Sequence, residues 1–332
     1  MIGDEGMKMS GLKLKNVIQR SEFAVIAITI ILFVVLATGS DIFFNVNNLN
    51  SLQTSIAPSA LVAFGMMLLL ILGVFDLSVG ATMALVGISV STLLASGVSV
   101  PLAVLGGFGI GVLVGFVNGI LVGVVGINPL IATIGIKFMV QGLAYMRMSN
   151  LYQVHPDFPA SFTILGTGKL FGIYYQFLFM IVILIILSIF LKNNGIGRRL
   201  YYIGGNRNAS RLMGFNSKRM IIIIYIVIGL LAAAAAIFSI ARYGNANRYL
   251  GSGIEMTAII SCVLGGASLS GGKGTAMGAL FGVIFMSLMT NFFNLFEVSS
   301  TWQDVVVGAI LIIVVAADGY LTLKKNKELG KI

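Results

Sequence analysis

The stretch that comes nearest to a catalytic motif is Ala267-Ser268-Leu269-Ser270-Gly271-Gly272-Lys273-Gly274-Thr275. A phosphate-binding loop reads Gly-x-x-x-x-Gly-Lys-Ser/Thr: backbone N–H groups cradle the phosphates, the lysine reaches them, and the last hydroxyl holds magnesium. Here Ala267 stands at the first glycine and Gly274 at the magnesium position. The stretch reads instead as a flexible turn between two apolar segments, and the chain is expected to hydrolyse no ATP itself. No cluster of His, Asp and Glu has metal-ligand spacing, and no Gly-x-Ser-x-Gly elbow occurs. The single histidine, His155, falls in a polar outer segment and reads as a solvated loop residue. The single cysteine, Cys262, excludes an intrachain disulfide and reads as small apolar filler.

The remaining chemistry belongs to polar residues in or beside apolar runs: Asp76, Asn118, Asn128, Gln141, Asn291 and Asn294. Such groups can line a path for a hydroxyl-rich solute. They can equally bond neighbouring helices, at about 0.6 kcal/mol each. An ionisable side chain at the centre of a bilayer costs about 2.5–3.5 kcal/mol on insertion scales. Asp76 and Asp318 are therefore expected near cytoplasmic span ends, and Lys137 is expected to snorkel towards an interface. No chain of membrane-embedded acids is evident, which argues against proton or sodium coupling.

The elements that would position these residues are apolar helices. Of 332 residues 58% are hydrophobic and 10% are charged, and mean hydropathy is +1.02. A soluble domain carries about 25% charged residues, so the solvent for most of this chain is lipid. Spanning about 30 Å of hydrocarbon takes about 20 apolar residues in a helix. Ten stretches qualify: Phe23–Gly39, Ala57–Phe75, Val79–Val98, Leu102–Val125, Pro129–Tyr145, Phe171–Leu191, Met220–Ala241, Met256–Leu269, Thr275–Phe296 and Val305–Leu321. Met256–Leu269 is short and reads as a broken or re-entrant helix. The expected fold is an all-α transmembrane bundle of about ten spans in a single domain, residues 1–332.

The net charge of +10 follows from topology. Basic residues cluster in the arm (residues 1–22), in the loop 192–219 and in the tail (residues 322–332). Ten crossings put all three on one side, which the positive-inside rule makes cytoplasmic. A nucleic-acid partner is not required. The opposite side carries mixed charge, including Asp157, Glu255 and Arg248. Within the basic loop, Gly205–Gly214 reads as a short helix with Asn206 as N-cap and Gly214 as its stop. Ala209, Leu212 and Met213 form an apolar face edged by Arg207 and Arg211, suited to a groove on a cytoplasmic partner or to a lipid surface. Gly107, Gly111, Gly115, Gly119 and Gly123 make a small-residue ladder for close helix packing. Residues 72–80 and 264–272 echo each other at Leu-Gly, Leu-Ser and a final Gly, as internal repeats in transporters do.

The combination of Asp76-Leu77-Ser78-Val79-Gly80, Asn118-Gly119, residues 127–135 (Ile-Asn-Pro-Leu-Ile-Ala-Thr-Ile-Gly), residues 197–206, residues 209–214, residues 263–275 and Trp302-Gln303 resembles permeases of bacterial ABC importers for monosaccharides. These are the ribose, galactoside, xylose and arabinose types within the branched-chain amino-acid/sugar permease family. Two departures touch regions near the solute: Gly-Val-Phe-Asp at 73–76 for the usual Gly-Gly-Ile-Asp, and Gln141-Gly142 for the usual arginine-glycine pair. The resemblance implies a multi-pass protein of the bacterial cytoplasmic membrane with a second permease subunit, identical or paralogous. It implies a cytoplasmic ABC ATPase carrying the ATP and magnesium, docked on Gly205, Asn206, Ala209, Arg211, Leu212 and Gly214, and an extracytoplasmic sugar-binding protein. Nucleosides, a signalling furanone or amino acids are the alternative cargoes. A stand-alone secondary transporter and a membrane enzyme are the alternatives from other classes.

Overall fold

The computed structural model describes residues 21–147, 153–154 and 157–328. His155 and the basic residues of the N-terminal arm lie outside the described residues. The chain is helical almost throughout: α1 (Ser21–Gly39), α2 (Val46–Ile71), α3 (Val79–Ala95), α4 (Val100–Ile120), α5 (Pro129–Met146), α6 (Ala160–Thr167), α7 (Tyr175–Asn193), α8 (Gly195–Gly205), α9 (Arg207–Leu212), α10 (Ser217–Tyr243), α11 (Ile254–Leu264), α12 (Ala276–Leu295) and α13 (Ser300–Glu328). Seven of the helices, α2, α4, α5, α7, α10, α12 and α13, are long and apolar enough to cross a membrane, and α1, α3 and α11 are shorter apolar helices. Asparagine opens several of them, because its side-chain oxygen takes a first-turn N–H: Asn45, Asn128, Asn194, Asn206 and Asn216 each do so.

Several boundaries differ from the hydropathy reading. Helix α2 starts at Val46, well before Ala57, because the Asn45 cap and a polar first stretch (Asn47, Asn48, Asn50) hold a helix that apolarity alone does not signal. Its 26 residues reach about 39 Å, longer than the about 30 Å of a bilayer's hydrocarbon. Helix α4 runs on into one π-helical turn, Leu121–Val125, closed by Gly126. Before α7, the expected start at Phe171 is instead a hairpin: β2 (Lys169–Leu170) pairs antiparallel with β3 (Ile173–Tyr174) about a Phe171-Gly172 turn of positive φ. A second short pair joins β1 (Gln153–Val154) to β4 (Ala246–Asn247). Helices α6 and α8 occupy stretches expected to be loop.

Helices α2 and α10 form the buried centre, and the small-residue ladder explains how α4 reaches it. A Cβ on Gly111 would strike the Gly229 carbonyl, one on Gly115 the Tyr225 carbonyl, and one on Gly119 the Ile222 backbone. The approach is mutual, since a Cβ on Gly229 would strike the Gly111 carbonyl. Helices α4 and α10 are in backbone contact along this seam, as the spacing led us to expect.

The two echoing turns stop their helices in the same way. Gly73 N–H bonds the Leu70 carbonyl and Val74 N–H that of Leu69; Gly266 N–H bonds Val263 and Ala267 N–H bonds Cys262. Both are Schellman stops, one residue out of the register that matching the two sequences gives. The turns also touch: Gly272 N–H donates to the Ile71 carbonyl at 2.8 Å. The Ala267–Thr275 turn, expected to be flexible, is pinned. Asp318 accepts from Leu269 N–H (3.1 Å) and the Ser268 hydroxyl (3.2 Å), and the Tyr201 hydroxyl donates to the Gly274 carbonyl (2.8 Å).

Candidate functional site

Among the described residues, the α2–α3 turn is tethered by side chains from four other helices. Asp76 stands between the end of α2 and the start of α3, as expected of a span end, but it is 2% exposed. Its Oδ1 accepts from the Ser78 N–H (2.7 Å) and the Ser78 hydroxyl (2.6 Å), so the carboxylate caps the start of α3, where the helix dipole favours negative charge. Asn118 on α4 donates to the Ser78 hydroxyl at 2.8 Å and lies 3.4 Å from both Asp76 oxygens. Thr133 on α5 accepts from Leu77 N–H (3.1 Å), and the Tyr225 hydroxyl on α10 donates to the Phe75 carbonyl (2.7 Å). Arg207 of α9 reaches the Leu72 carbonyl at 3.3 Å. Four helices thus hold one seven-residue turn between α2 and α3.

A second cluster lies one turn into α3. Lys137 Nζ of α5 is 2.6 Å from Glu255 Oε1 in the first turn of α11, and the two side chains are 32% and 3% exposed. This corrects two expectations. Lys137 does not snorkel to an interface, and Glu255 is not a solvated outer charge. Lys137 sits midway along α5, and the non-helical stretch 244–253 folds inward to meet it. A Cβ on Gly87 of α3 would touch Leu250, whereas a Cβ on Gly80 would strike the Gly251 carbonyl and the Glu255 carboxylate. Non-helical backbone at membrane depth is tolerated where protein buries it or a cavity runs beside it. Removing one partner of a buried ion pair costs about 3–5 kcal/mol, because the other charge is stranded.

Around the pair, Gln141 Nε2 donates to the Tyr145 hydroxyl at 2.7 Å. The Arg248 guanidinium lies over the rings of Tyr145 (5.3 Å) and Tyr249 (4.8 Å). The cleft between these groups has about 40 Å³ of free volume, room for a few waters and no more.

The candidates read from sequence therefore separate. Asp76 and Asn118 meet directly. Gln141 joins Lys137 and Glu255. Asn291 on α12 exchanges amide bonds with Asn48 on α2, so it bonds two helices together. Asn128 is exposed and caps α5 through Leu130 N–H (2.9 Å). Glu255 and Arg248 were missed as site residues. The available signal was Lys137 itself, because a lysine in the middle of an apolar helix needs a partner.

Facing away from the bundle, α8 buries Leu200 and Ile203 and exposes Arg198, Arg199 and Tyr202. Asn206 Oδ1 accepts from Ala209 N–H at 3.0 Å and starts α9, and Gly214, with φ +78°, follows its end. Arg211 is exposed, Leu212 is 91% exposed and Met213 54%.

The family described as branched-chain amino acid transport system / permease component matches residues 48–315. The chain is 34% identical to the probable ABC transporter permease protein y4mJ of Sinorhizobium fredii, over 91% of this chain and 90% of that one. It is 32% identical to the ribose import permease protein RbsC of Escherichia coli (87% and 91%) and 31% identical to the D-allose transport system permease protein AlsC of Escherichia coli (89% and 90%). No solved structure matches the chain. With the match covering most of its length and its tethered turns, helix stops and amphipathic loop in the matched region, the chain belongs to the branched-chain amino acid transport system permease family.

Proposed function

We propose that this chain is the membrane-spanning permease subunit of an ATP-driven ABC importer that carries a monosaccharide across the bacterial cytoplasmic membrane. The observation that carries the reading is the similarity, over about nine-tenths of the chain, to permeases whose names specify ribose and D-allose. In this reading α1–α5, α7 and α10–α13 are ten crossings, and both ends of the chain and the α8–α9 elbow are cytoplasmic, where their basic residues belong. ATP and magnesium reside on a partner ATPase, a binding protein delivers the sugar outside, and a second permease subunit, identical or paralogous, completes the path.

The coupling chemistry has a definite route. Helix α9 offers Ala209, Leu212 and Met213 to the ATPase, with Arg207 and Arg211 at the edge. Arg207 also holds the Leu72 carbonyl of the α2–α3 turn, and Tyr201 of α8 holds Gly274 of the α11–α12 turn. A displacement of the α8–α9 elbow is therefore handed to both echoing turns at once. The turn after α2 carries Asp76, whose carboxylate accepts from Ser78, the residue that leads into α3. Solute selection falls mainly to the binding protein and to polar groups such as Asp76, Asn118 and Gln141 beside the path.

The test is co-purification from the native membrane with an ABC ATPase and a sugar-binding protein, followed by ATPase assays with ribose, allose and other candidate solutes. The expected result is a stable assembly with solute-stimulated hydrolysis, and loss of ATPase binding on the Ala209→Glu/Leu212→Glu double change with the fold intact. Uptake by the wild-type chain with no ATPase recruited would replace this reading with a secondary carrier.

A further inference from the structure

A polar stripe runs along one face of α5. Lys137, Gln141 and Tyr145 recur every fourth residue, so they stack on one side of the helix. Opposite them stand Arg248 and Tyr249 of the inward-folded stretch 244–253 and Glu255 at the start of α11. The stripe begins at the outer end of α5 and stops halfway down, at the Lys137–Glu255 pair. Below the pair the first turn of α3 closes the way, with Gly80 directly under the Glu255 carboxylate.

Two features separate this arrangement from ordinary helix bonding. Lys137 is one-third exposed halfway along an apolar helix, where a charge open to hydrocarbon would be costly, and it lines the cleft. Glu255 Oε2 is buried and has no hydrogen-bond partner, although Oε1 is engaged by Lys137. A buried carboxylate oxygen without a donor is costly to keep, and this one borders the cleft.

The side chains also match a particular ligand chemistry. A neutral polyol presents hydroxyls that donate to a carboxylate and accept from an ammonium, an amide and a guanidinium, and apolar C–H faces that pack on tyrosine rings. Lys137, Gln141, Arg248, Tyr249 and Glu255 line one cleft, and Tyr145 stands behind Gln141 and Arg248. The cleft itself, at about 40 Å³, is too small for a sugar, so in this conformation it is shut.

We propose that Lys137, Gln141, Tyr145, Arg248, Tyr249 and Glu255 line the outer half of the translocation path, and that the Lys137–Glu255 pair is its constriction. A sugar arriving from outside exchanges its hydroxyls for the direct contact between the two charges. Glu255 Oε2 gains a donor, Lys137 keeps an acceptor, and the charges part while staying neutralised as a pair. The hand-off by Arg207 to the α2–α3 turn moves the start of α3, the floor on which Glu255 rests. This assignment rests on the importer reading for its direction and its cargo class.

The test uses the assembled transporter in proteoliposomes with Cys262→Ser as background. Gln141→Cys is probed from outside with a membrane-impermeant methanethiosulfonate, with Met139→Cys on the opposite face of α5 as control. Gln141→Cys is expected to react at least tenfold faster than Met139→Cys, and saturating ribose presented with the binding protein is expected to slow it severalfold. In parallel, Lys137→Met and Glu255→Gln are expected to lower ATP-driven ribose uptake at least tenfold while the ATPase still co-purifies, and the Lys137→Glu/Glu255→Lys exchange is expected to recover part of it. An unreactive Gln141→Cys, or wild-type uptake in both single variants, overturns the path. If the wild type imports no sugar at all, the importer reading falls by itself, and the labelling contrast still decides whether this stripe faces water.

Discussion

Gly204, where α8 meets both echoing turns, makes the sharpest test of the coupling route. A Cβ built there would strike the Ile71 carbonyl and come too close to the Gly272 amide, whereas one on the adjacent Gly205 would meet nothing. Gly204→Ala therefore has to push α8 back by roughly 1–1.5 Å to restore ordinary contact distances. That displacement breaks or stretches the Tyr201–Gly274 hydrogen bond (2.8 Å), which α8 itself makes. The bond contributes about 0.5–1.5 kcal/mol net, and overpacking of this kind typically costs about 1–3 kcal/mol. The expected loss is about 1–4 kcal/mol after the small gain from replacing a helical glycine by alanine, about 0.5–1 kcal/mol. The protein carries its own reporter. Cys262 is the only cysteine, is fully buried, and donates to the Ala63 carbonyl at 3.2 Å. Its labelling by a thiol-reactive dye during heating tracks unfolding. Gly204→Ala should expose Cys262 at a markedly lower temperature and reduce solute-stimulated ATP hydrolysis in the assembled transporter. Gly205→Ala should match the wild type in both assays. Equal behaviour of the two variants would refute the close contact, and with it the route by which the elbow moves the turns.

The same dye assay checks two further expectations. Gly111→Ala drives a methyl into the Gly229 carbonyl and should lose at least about 1–3 kcal/mol, whereas Gly109→Ala, with open space around it, should be neutral or slightly stabilising. Asn48→Ala and Asn291→Ala should each cost about 1–3 kcal/mol by stranding the other amide, and the double variant should cost clearly less than their sum, as a double-mutant cycle would measure.

What could be read from the sequence was whatever is decided locally. Apolar runs gave the helices their places, Asn206 and Gly214 bounded α9, and the four-residue glycine period announced the α4–α10 seam. Each of these signals sits within a few turns of its own effect. The misplaced features are decided at a distance. Helix α2 begins in polar residues, and only the Asn45 cap marks its start. Helix α8 has too few apolar residues to stand out, because Leu200 and Ile203 suffice to hold it against the bundle. The ion pair joins residues 118 positions apart, so nothing near Glu255 distinguishes a buried carboxylate from a loop acid. For this reason the sequence showed no chain of embedded acids, although two single acids are buried. Asp76 and Glu255 are both nearly inaccessible, one held by the Ser78 N–H and hydroxyl and the other engaged through Oε1 alone by a lysine.

Those two acids act on the same short helix. Asp76 accepts from Ser78, the residue that leads into α3, and Glu255 lies against Gly80 in its first turn, so the position of α3 sets the surroundings of both. The turn that carries Asp76 is tied through Leu72 to Arg207 on the exposed elbow. The opposing turn is tied through Gly274 to Tyr201 and, through Gly272, to Ile71 at the end of α2. A long buried α2 between these points transmits little bending, because most of its residues are packed on every side. The short helix α3 is itself buried along nearly its whole length, so α2, the turn after it and α3 are packed as one block, with α3 facing and α11 carrying the Lys137–Glu255 contact.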